Sequence, residues 1–142
     1  MAFSGHFSAM EWRDELAVGH PVIDAQHRDF IEQARRVTGL IAGNSPAGEL
    51  LPHIKAIVTA AAHHFTTEER ILRDHGMADD DDHRRDHTAI VRQLADMVAG
   101  LSAQSSSEEM MTVVRTAVVI LLEHMLLGDG RLRRHFQGAA TA

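Results

Sequence analysis

The stretch His64-Phe65-Thr66-Thr67-Glu68 lies in an apolar run that has the periodicity of a buried helix face. The apolar residues of the run recur at helical spacing: Ile54, Ile57, Val58, Ala61, Phe65, Ile71 and Leu72. His64 and Glu68 fall on the same stripe, one helical turn apart. An ionised carboxylate on a core face is costly unless a partner compensates its charge. Taken alone, the pair is best explained as an ordinary helix pair with a core histidine, and a bound metal ion is the alternative.

Four segments have the apolar periodicity of amphipathic helices, and short polar breaks separate them. We place them at about 22–41, 52–76, 83–101 and 107–129. Pro52 is expected to open the main part of the second helix, because a proline inside a helix removes a hydrogen bond and kinks it. Four long helices joined by short loops predict an all-α fold, an up-down-up-down antiparallel four-helix bundle.

The 142 residues are expected to form one domain. Residues 1–21 would form an N-terminal arm that Trp12 anchors to the body, and residues 22–129 would form the bundle with its functional site. Residues 130–142 would be a C-terminal extension, in which Arg131–Phe136 adds one more basic turn.

Composition excludes several classes of function. The net charge of −6 and the lack of a long basic stripe argue against nucleic acid as a partner. No apolar run has the length of a membrane span, and the N-terminus lacks the pattern of a signal peptide, so we expect a cytoplasmic protein. The absence of cysteine excludes thiolate zinc sites and iron–sulfur clusters. The 11 histidines instead raise the expectation of a metal site.

Each predicted helix carries at least one histidine on its core stripe, and two helices carry an acid close to it. In an antiparallel bundle, the starts of the first and third helices lie beside the ends of the second and fourth. Seven groups therefore can converge at one level: His27, His64, Glu68, His83, His87, His124 and Asp129. Such a set exceeds the needs of one ion and suits a pair of ions such as iron, bridged by the carboxylates.

The motifs, taken in order, resemble the hemerythrin family, and in particular its single-domain bacterial members. The matching stretches are Trp12…Val18-Gly19…Ile23-Asp24-Ala25-Gln26-His27, His64-Phe65-Thr66-Thr67-Glu68-Glu69, His83-Arg84-Arg85-Asp86-His87 and His124-Met125-Leu126-Leu127-Gly128-Asp129. The resemblance extends from Trp12 to about Asp129.

The resemblance implies a ligand set for two iron ions. His83, His87 and His124 would bind one iron, and His27 and His64 would bind the other. Glu68 and Asp129 would bridge the two, together with an oxo or hydroxo group from solvent. The first iron would then be fully coordinated, and the second would keep one open position.

Dioxygen would bind at that open position, in a pocket formed by Ile23, Phe65, Ile120 and Leu121. The implied function is reversible dioxygen binding for transport, storage or delivery, with nitric oxide as a second ligand and without enzymatic activity beyond a weak oxidase or peroxidase side reaction. Two positions depart from related sequences. Ile120-Leu121 replaces a common tryptophan-leucine pair, and Gly76-Met77-Ala78 stands where a tyrosine is common.

Other functions fit the sequence less well. Oxygen, redox or nitric oxide sensing would use the same centre, but no signalling domain is attached. A ferritin-like di-iron oxidase would need Glu-x-x-His pairs, and no glutamate here has a histidine three residues later. A zinc hydrolase using His83, His87 and His124 would leave His27 and His64 unexplained.

A histidine phosphotransfer protein needs only one exposed histidine, and a bundle with scattered histidines would leave core carboxylates unpaired. The oligomeric state stays open, with a monomer slightly favoured.

The fourth helix is expected to deviate from regular geometry near its end. His124 and Asp129 are five residues apart, so on a regular helix their directions would differ by about 140°. Both can reach one centre only if the helix unwinds or bulges between them. Because Gly128 and Gly130 tolerate unusual backbone conformations, we predict a π-type turn there.

Overall fold

The computed structural model describes residues 12–77, 81–128 and 130–141, and these residues form helices and loops without any strand. The helices are α1 (Pro21–Ala42), α2 (Ala47–Asp74), α3 (Asp81–Ala99), α4 (Ser107–Glu123) and α5 (Gly130–Thr141). A short 3-10 turn (Asp14–Leu16) precedes α1, and a π-helical turn (His124–Gly128) follows α4. The prediction of an all-α protein is confirmed.

The four long helices enclose one main hydrophobic core. Helix α1 packs against α2 and α4, and α3 packs against α2 and α4, so the four helices close into a bundle. The largest fully buried apolar side chains of this core are Leu50, Leu94, Met110, Val37, Val114 and Val118. The helices therefore form a bundle, and their up-down-up-down order stays a prediction.

The start of α1 is fixed by side chains on both sides of its first residue. His20 is the N-cap, and its Nδ1 accepts a hydrogen bond from the Val22 amide at 3.2 Å. The Asp24 carboxylate accepts the amides of Val18 and Gly19 and so folds the preceding segment back onto the helix. Gly19 has a φ of +93°, and a Cβ there would lie 3.1 Å from the Gln137 side chain. A glycine is therefore required where the arm meets α5.

The prediction for the start of α2 was wrong, because this helix begins at Ala47 and continues through Pro52. A proline in a helix interior removes the hydrogen bond to the carbonyl four residues earlier, here Gly48. Both Pro52 and Gly48 are exposed, so water can solvate that carbonyl. On the opposite side, Leu50 and Ile54 are buried in the main core. Packing on this buried face therefore holds the helix together across the proline.

The C-terminal segment is also more regular than expected. Instead of one basic turn, residues 130–141 form the complete helix α5. Leu132 is 1% exposed and lies in a second, smaller hydrophobic cluster with Val18, Ile23, Ile71 and Leu72. Burial of Leu132, with Phe136 packed against the same cluster, helps to attach α5 to the end of the bundle where α1 starts and α2 ends.

The expected irregularity after α4 is present as a π-helical turn, which confirms that prediction. The turn begins at His124 and ends at Gly128. The carboxylate that motivated the prediction, Asp129, lies outside the described residues. Because the turn begins at His124, its backbone geometry sets the direction of the His124 side chain.

The described part of the arm packs as expected. Trp12 lies against the main core, and the guanidinium carbon of Arg28 is 4.6 Å from the centre of its ring. Leu16 and Val18 are buried. Residues 1–11 of the predicted arm lie outside the described residues.

In the ranges that the structure describes, no single helix has the length and apolar character needed to cross a membrane. Only a bent pair, Ser107–Leu126 with Gly130–Gln137, meets that criterion by length and composition.

The cap of α4 provides a test of the fold. Ser106 and Glu109 form a capping box, with the serine hydroxyl accepting the Glu109 amide at 3.0 Å. Ser106→Ala should lower the free energy of unfolding by about 1 kcal/mol, because this amide loses its acceptor. Ser107→Ala, one residue later and also exposed, is the matched control and should have no effect in chemical denaturation. Equal destabilisation by both variants would contradict the assigned cap.

Candidate metal centre

Six of the seven side chains predicted to bind metal converge inside one end of the bundle. Helix α1 supplies His27, α2 supplies His64 and Glu68, α3 supplies His83 and His87, and the π-turn supplies His124. The seventh, Asp129, lies outside the described residues. These residues come from the early parts of α1 and α3 and from the late part of α2 and the end of α4. That is the arrangement expected when neighbouring helices run in opposite directions.

The Glu68 carboxylate is at the centre of the cluster and is 0% exposed. Its Oε1 lies 2.9 Å from Nε2 of His83 and 3.3 Å from Nε2 of His87. The Nε2 atom of His124 is 3.9 Å from the same oxygen. The second oxygen, Oε2, instead lies 3.0 Å from Nε2 of His64. One carboxylate therefore faces two separate sets of imidazoles.

The two sets form two candidate metal-binding groups that share Glu68. The potential ligand atoms within each group all lie within 4.8 Å of one another; the groups are Glu68, His83, His87 and His124, and His27, His64 and Glu68. In the first group, the Nε2 atoms of His87 and His124 are 3.2 Å apart. In the second, those of His27 and His64 are 3.0 Å apart.

These separations fit metal coordination. Adjacent ligands on a metal with bonds of about 2.1 Å lie about 3 Å apart. The Oε2 atom of Glu68 is buried and has no hydrogen-bond partner of suitable geometry, although His64 is close to it. A cation between these groups would compensate the buried charge and use the converging nitrogen lone pairs. The donor set, imidazole with carboxylate, suits iron, zinc and similar divalent ions.

The protonation states also favour metal binding. Burial, followed by the nearby His64, lowers the pKa of His27 to about 3. Burial also lowers the pKa of His87. For Glu68, burial by itself would raise the pKa, but hydrogen bonds with the surrounding histidines lower it well below its ordinary value. Near neutral pH, the centre therefore combines neutral imidazoles at His27 and His87 with an ionised carboxylate, the forms that bind metals.

Groups around the cluster orient its imidazoles. The side-chain oxygen of Gln26 lies 2.8 Å from Nδ1 of His64 and accepts a hydrogen bond from it. The proton is then on Nδ1, and the Nε2 lone pair is directed at Glu68. The amide nitrogen of Gln26 donates to the Thr67 hydroxyl at 3.4 Å. The backbone of Leu16 is close enough to His27 to act on its pKa. On the other side, the Phe65 ring stacks on His87 with centroids 4.0 Å apart.

The sequence had not assigned a role to Gln26 or to the Leu16 backbone. Gln26 is in a quoted motif, but its position beside His27 gives no indication of function, because its partner is on another helix. A backbone carbonyl carries no signal in the sequence at all. Both contacts exist only because the arm and α2 pack against α1.

The four residues predicted to form a dioxygen pocket are divided between two places. Phe65 and Leu121 are buried in the main core, and Ile120 is partly buried against it. Ile23 is completely buried in the smaller cluster, which includes Leu132 of α5. A pocket that all four residues share stays a prediction.

Comparison with known proteins adds evidence independent of this geometry. The hemerythrin HHE cation binding domain family matches residues 18–135. A bacteriohemerythrin of Stenotrophomonas maltophilia is 28% identical over 106 residues, which are 72% of this chain and 67% of that relative. A bacteriohemerythrin of Pseudomonas aeruginosa is 27% identical over 85 residues, which are 60% of this chain and 55% of that relative.

The chain thus spans between about half and two thirds of the length of these curated relatives. No solved structure matches the chain at comparable significance. The family match nevertheless covers most of the chain and includes all six converging side chains. With the helical bundle and its buried histidine–glutamate cluster, it shows that this chain belongs to the hemerythrin family.

Proposed function

We propose that this protein binds dioxygen reversibly at a non-haem di-iron centre and serves in the transport, storage or delivery of oxygen. The observation that carries the proposal is the position of Glu68. Each of its two carboxylate oxygens faces a different group of imidazoles, as a carboxylate that bridges two metal ions must do.

The ligand assignment follows the two groups. His83, His87 and His124 would hold one iron, and His27 and His64 would hold the other. Glu68 would bridge them, and Asp129 would be the second bridge that the family resemblance implies. When bound, such a pair of irons, joined also by an oxo or hydroxo group, supplies reversible binding of dioxygen.

The protein contributes orientation and exclusion of water. Gln26 fixes the tautomer of His64, and Phe65 packs on His87, so the imidazoles are held in place before a metal binds. Among the side chains that α2 and α3 contribute to the cluster, that of His83 is the most exposed, and its exposed fraction is only 12%. Bulk water is therefore largely kept away from the centre.

The same geometry disfavours the other functions considered. A single zinc ion on the His83 group would leave His27 and His64 without a role, yet they lie 3.0 Å apart and against the same carboxylate. A phosphotransfer histidine must be accessible to a partner protein, whereas these imidazoles are buried or nearly so. Ligand binding requires no side chain to act as acid or nucleophile, so we propose a binding protein and not an enzyme. Sensing of oxygen or nitric oxide would use the same centre.

Metal content tests the proposal directly. Protein made in iron-replete cells should contain about two irons per chain, because the donor set forms two groups. Anaerobic reduction followed by air should produce a visible absorption band that disappears again when oxygen is removed. Protein that contains stoichiometric zinc and little iron would contradict the proposal.

Replacement of a predicted ligand should act differently from replacement of an exposed histidine. His83→Ala should reduce the iron content and the thermal stability of the iron-loaded protein, because metal binding contributes to the free energy of folding. His53→Ala, on the exposed side of α2, is the matched control and should retain both. Metal analysis and thermal unfolding measure these effects, and equal iron loss in the two variants would show that the assignment is wrong.

The role of Gln26 can be separated from that of the ligands. Gln26→Leu removes the acceptor for Nδ1 of His64 and should weaken metal binding by about 10- to 100-fold. Gln26→Glu keeps an acceptor and should retain most of the affinity. Gln93→Leu, at an exposed position of α3, is the control for the change in polarity. If competition with a chelator gives the same affinity for Gln26→Leu and wild type, the orienting role is excluded.

A further inference from the structure

One arginine outside the metal centre connects the backbone segments that lie on both sides of it. The guanidinium of Arg133, on α5, donates hydrogen bonds to three backbone carbonyls. Nε donates to the carbonyl of Ala17 at 3.2 Å. Nη2 donates to that of Met125 at 3.1 Å, and Nη1 donates to that of Leu126 at 3.4 Å. A single side chain thus joins the N-terminal arm to the π-turn.

One of the two segments that Arg133 holds carries a residue of the metal centre. Met125 directly follows His124, the histidine of the first group that lies on the π-turn. Ala17 directly follows Leu16, a buried residue of the N-terminal arm. Arg133 is therefore linked through one residue to His124 of the first metal-binding group, and it holds the π-turn and the arm together.

The π-turn has a physical need for such a partner. Helix ends leave backbone carbonyls without intrahelical donors, and the change from α to π geometry occurs here at the C-terminal end of α4. A positive charge near a helix C-terminus is also favourable to the helix dipole. The guanidinium meets both needs, because it is permanently charged and brings several donors in a fixed plane.

The arm has a second contact of the same kind. The side-chain amide of Gln137, one turn after Arg133, donates to the same Ala17 carbonyl at 3.0 Å. A Cβ on Gly19 would lie 3.1 Å from the Gln137 side chain and 3.2 Å from that of Phe136, closer than ordinary contact distance. Helix α5 therefore holds the arm at several points, and Arg133 also reaches the π-turn.

We propose that Arg133 is a positioning residue that holds His124 in the geometry needed for metal binding, because it fixes the π-turn against the N-terminal arm. This inference rests on the metal centre of the proposed function. It assigns to α5 a role in metal binding, although none of the residues that converge on the centre belongs to this helix.

The experiment measures Co²⁺ binding, because Co²⁺ binds to imidazole and carboxylate sites and its visible absorption reports the coordination geometry. Wild type, Arg133→Ala, Arg133→Lys and Arg134→Ala are titrated with Co²⁺. Arg134 is the matched control, because it is an exposed arginine of the same helix. Thermal unfolding of the metal-free variants measures any purely structural effect separately.

Arg133→Ala should bind Co²⁺ about 10-fold more weakly or worse, as is usual when a group that orients metal ligands is removed. At saturating Co²⁺ and well below the unfolding temperature, its absorption spectrum should differ from that of wild type. Arg133→Lys should be intermediate, because a compact ammonium cannot reach the arm and the π-turn together. Arg134→Ala should match wild type.

An affinity and a spectrum like those of wild type in Arg133→Ala would overturn the inference, even if the metal-free protein were less stable. If Arg133→Ala does not fold, Arg133→Lys decides in the same way. Wild type that binds Co²⁺ at this centre but not iron would refute the proposed function and leave this test valid. Wild type that binds neither metal would refute both.

Discussion

The ionised carboxylate of Glu68, buried where α1, α2, α3 and the π-turn bring side chains together, is the constraint on which this structure depends. Glu68 is fully buried, and its pKa is held low by imidazoles from three different segments. Leaving a buried charge without its partners costs about 3–5 kcal/mol. The bundle must therefore bring His64, His83, His87 and His124 to this carboxylate. That requirement fixes how far α2, α3 and the end of α4 are shifted relative to one another along the bundle axis.

The rest of the core offsets the cost of this buried charge, because apolar packing and the polar centre occupy different parts of the bundle. The main core, away from the cluster, is apolar and closely packed, so most of the stability from burial of apolar surface arises where no polar group has to be accommodated. The cluster occupies only one end. There a second, smaller apolar cluster joins the arm, α1, α2 and α5, so that the polar centre has hydrophobic packing around it on both sides.

Much of the fold and of the centre could be predicted from the sequence, because both rest on local patterns. The stripe that contains His64 and Glu68 identifies a helix and its buried face from spacing alone. The five-residue interval before Asp129 predicted an irregular turn, since a regular helix cannot direct both side chains to one place, and a π-helical turn begins at His124. Pro52 shows the limit of such rules, because packing of Leu50 and Ile54 outweighs the local preference to start the helix later.

The sequence by itself determined which residues are able to bind metal and which helical faces carry them, since residue type and periodicity are local properties. Only the tertiary structure decided that the two oxygens of Glu68 face different groups of imidazoles, because this depends on the distance between helices. The contacts of Gln26 and Arg133 were likewise revealed only by the tertiary structure. Gln26 contacts His64, which is 38 positions away in the sequence, and Arg133 contacts Ala17 in the N-terminal arm. Their partners are a side chain on another helix and backbone carbonyls, and no pattern along the chain encodes a contact that packing alone creates.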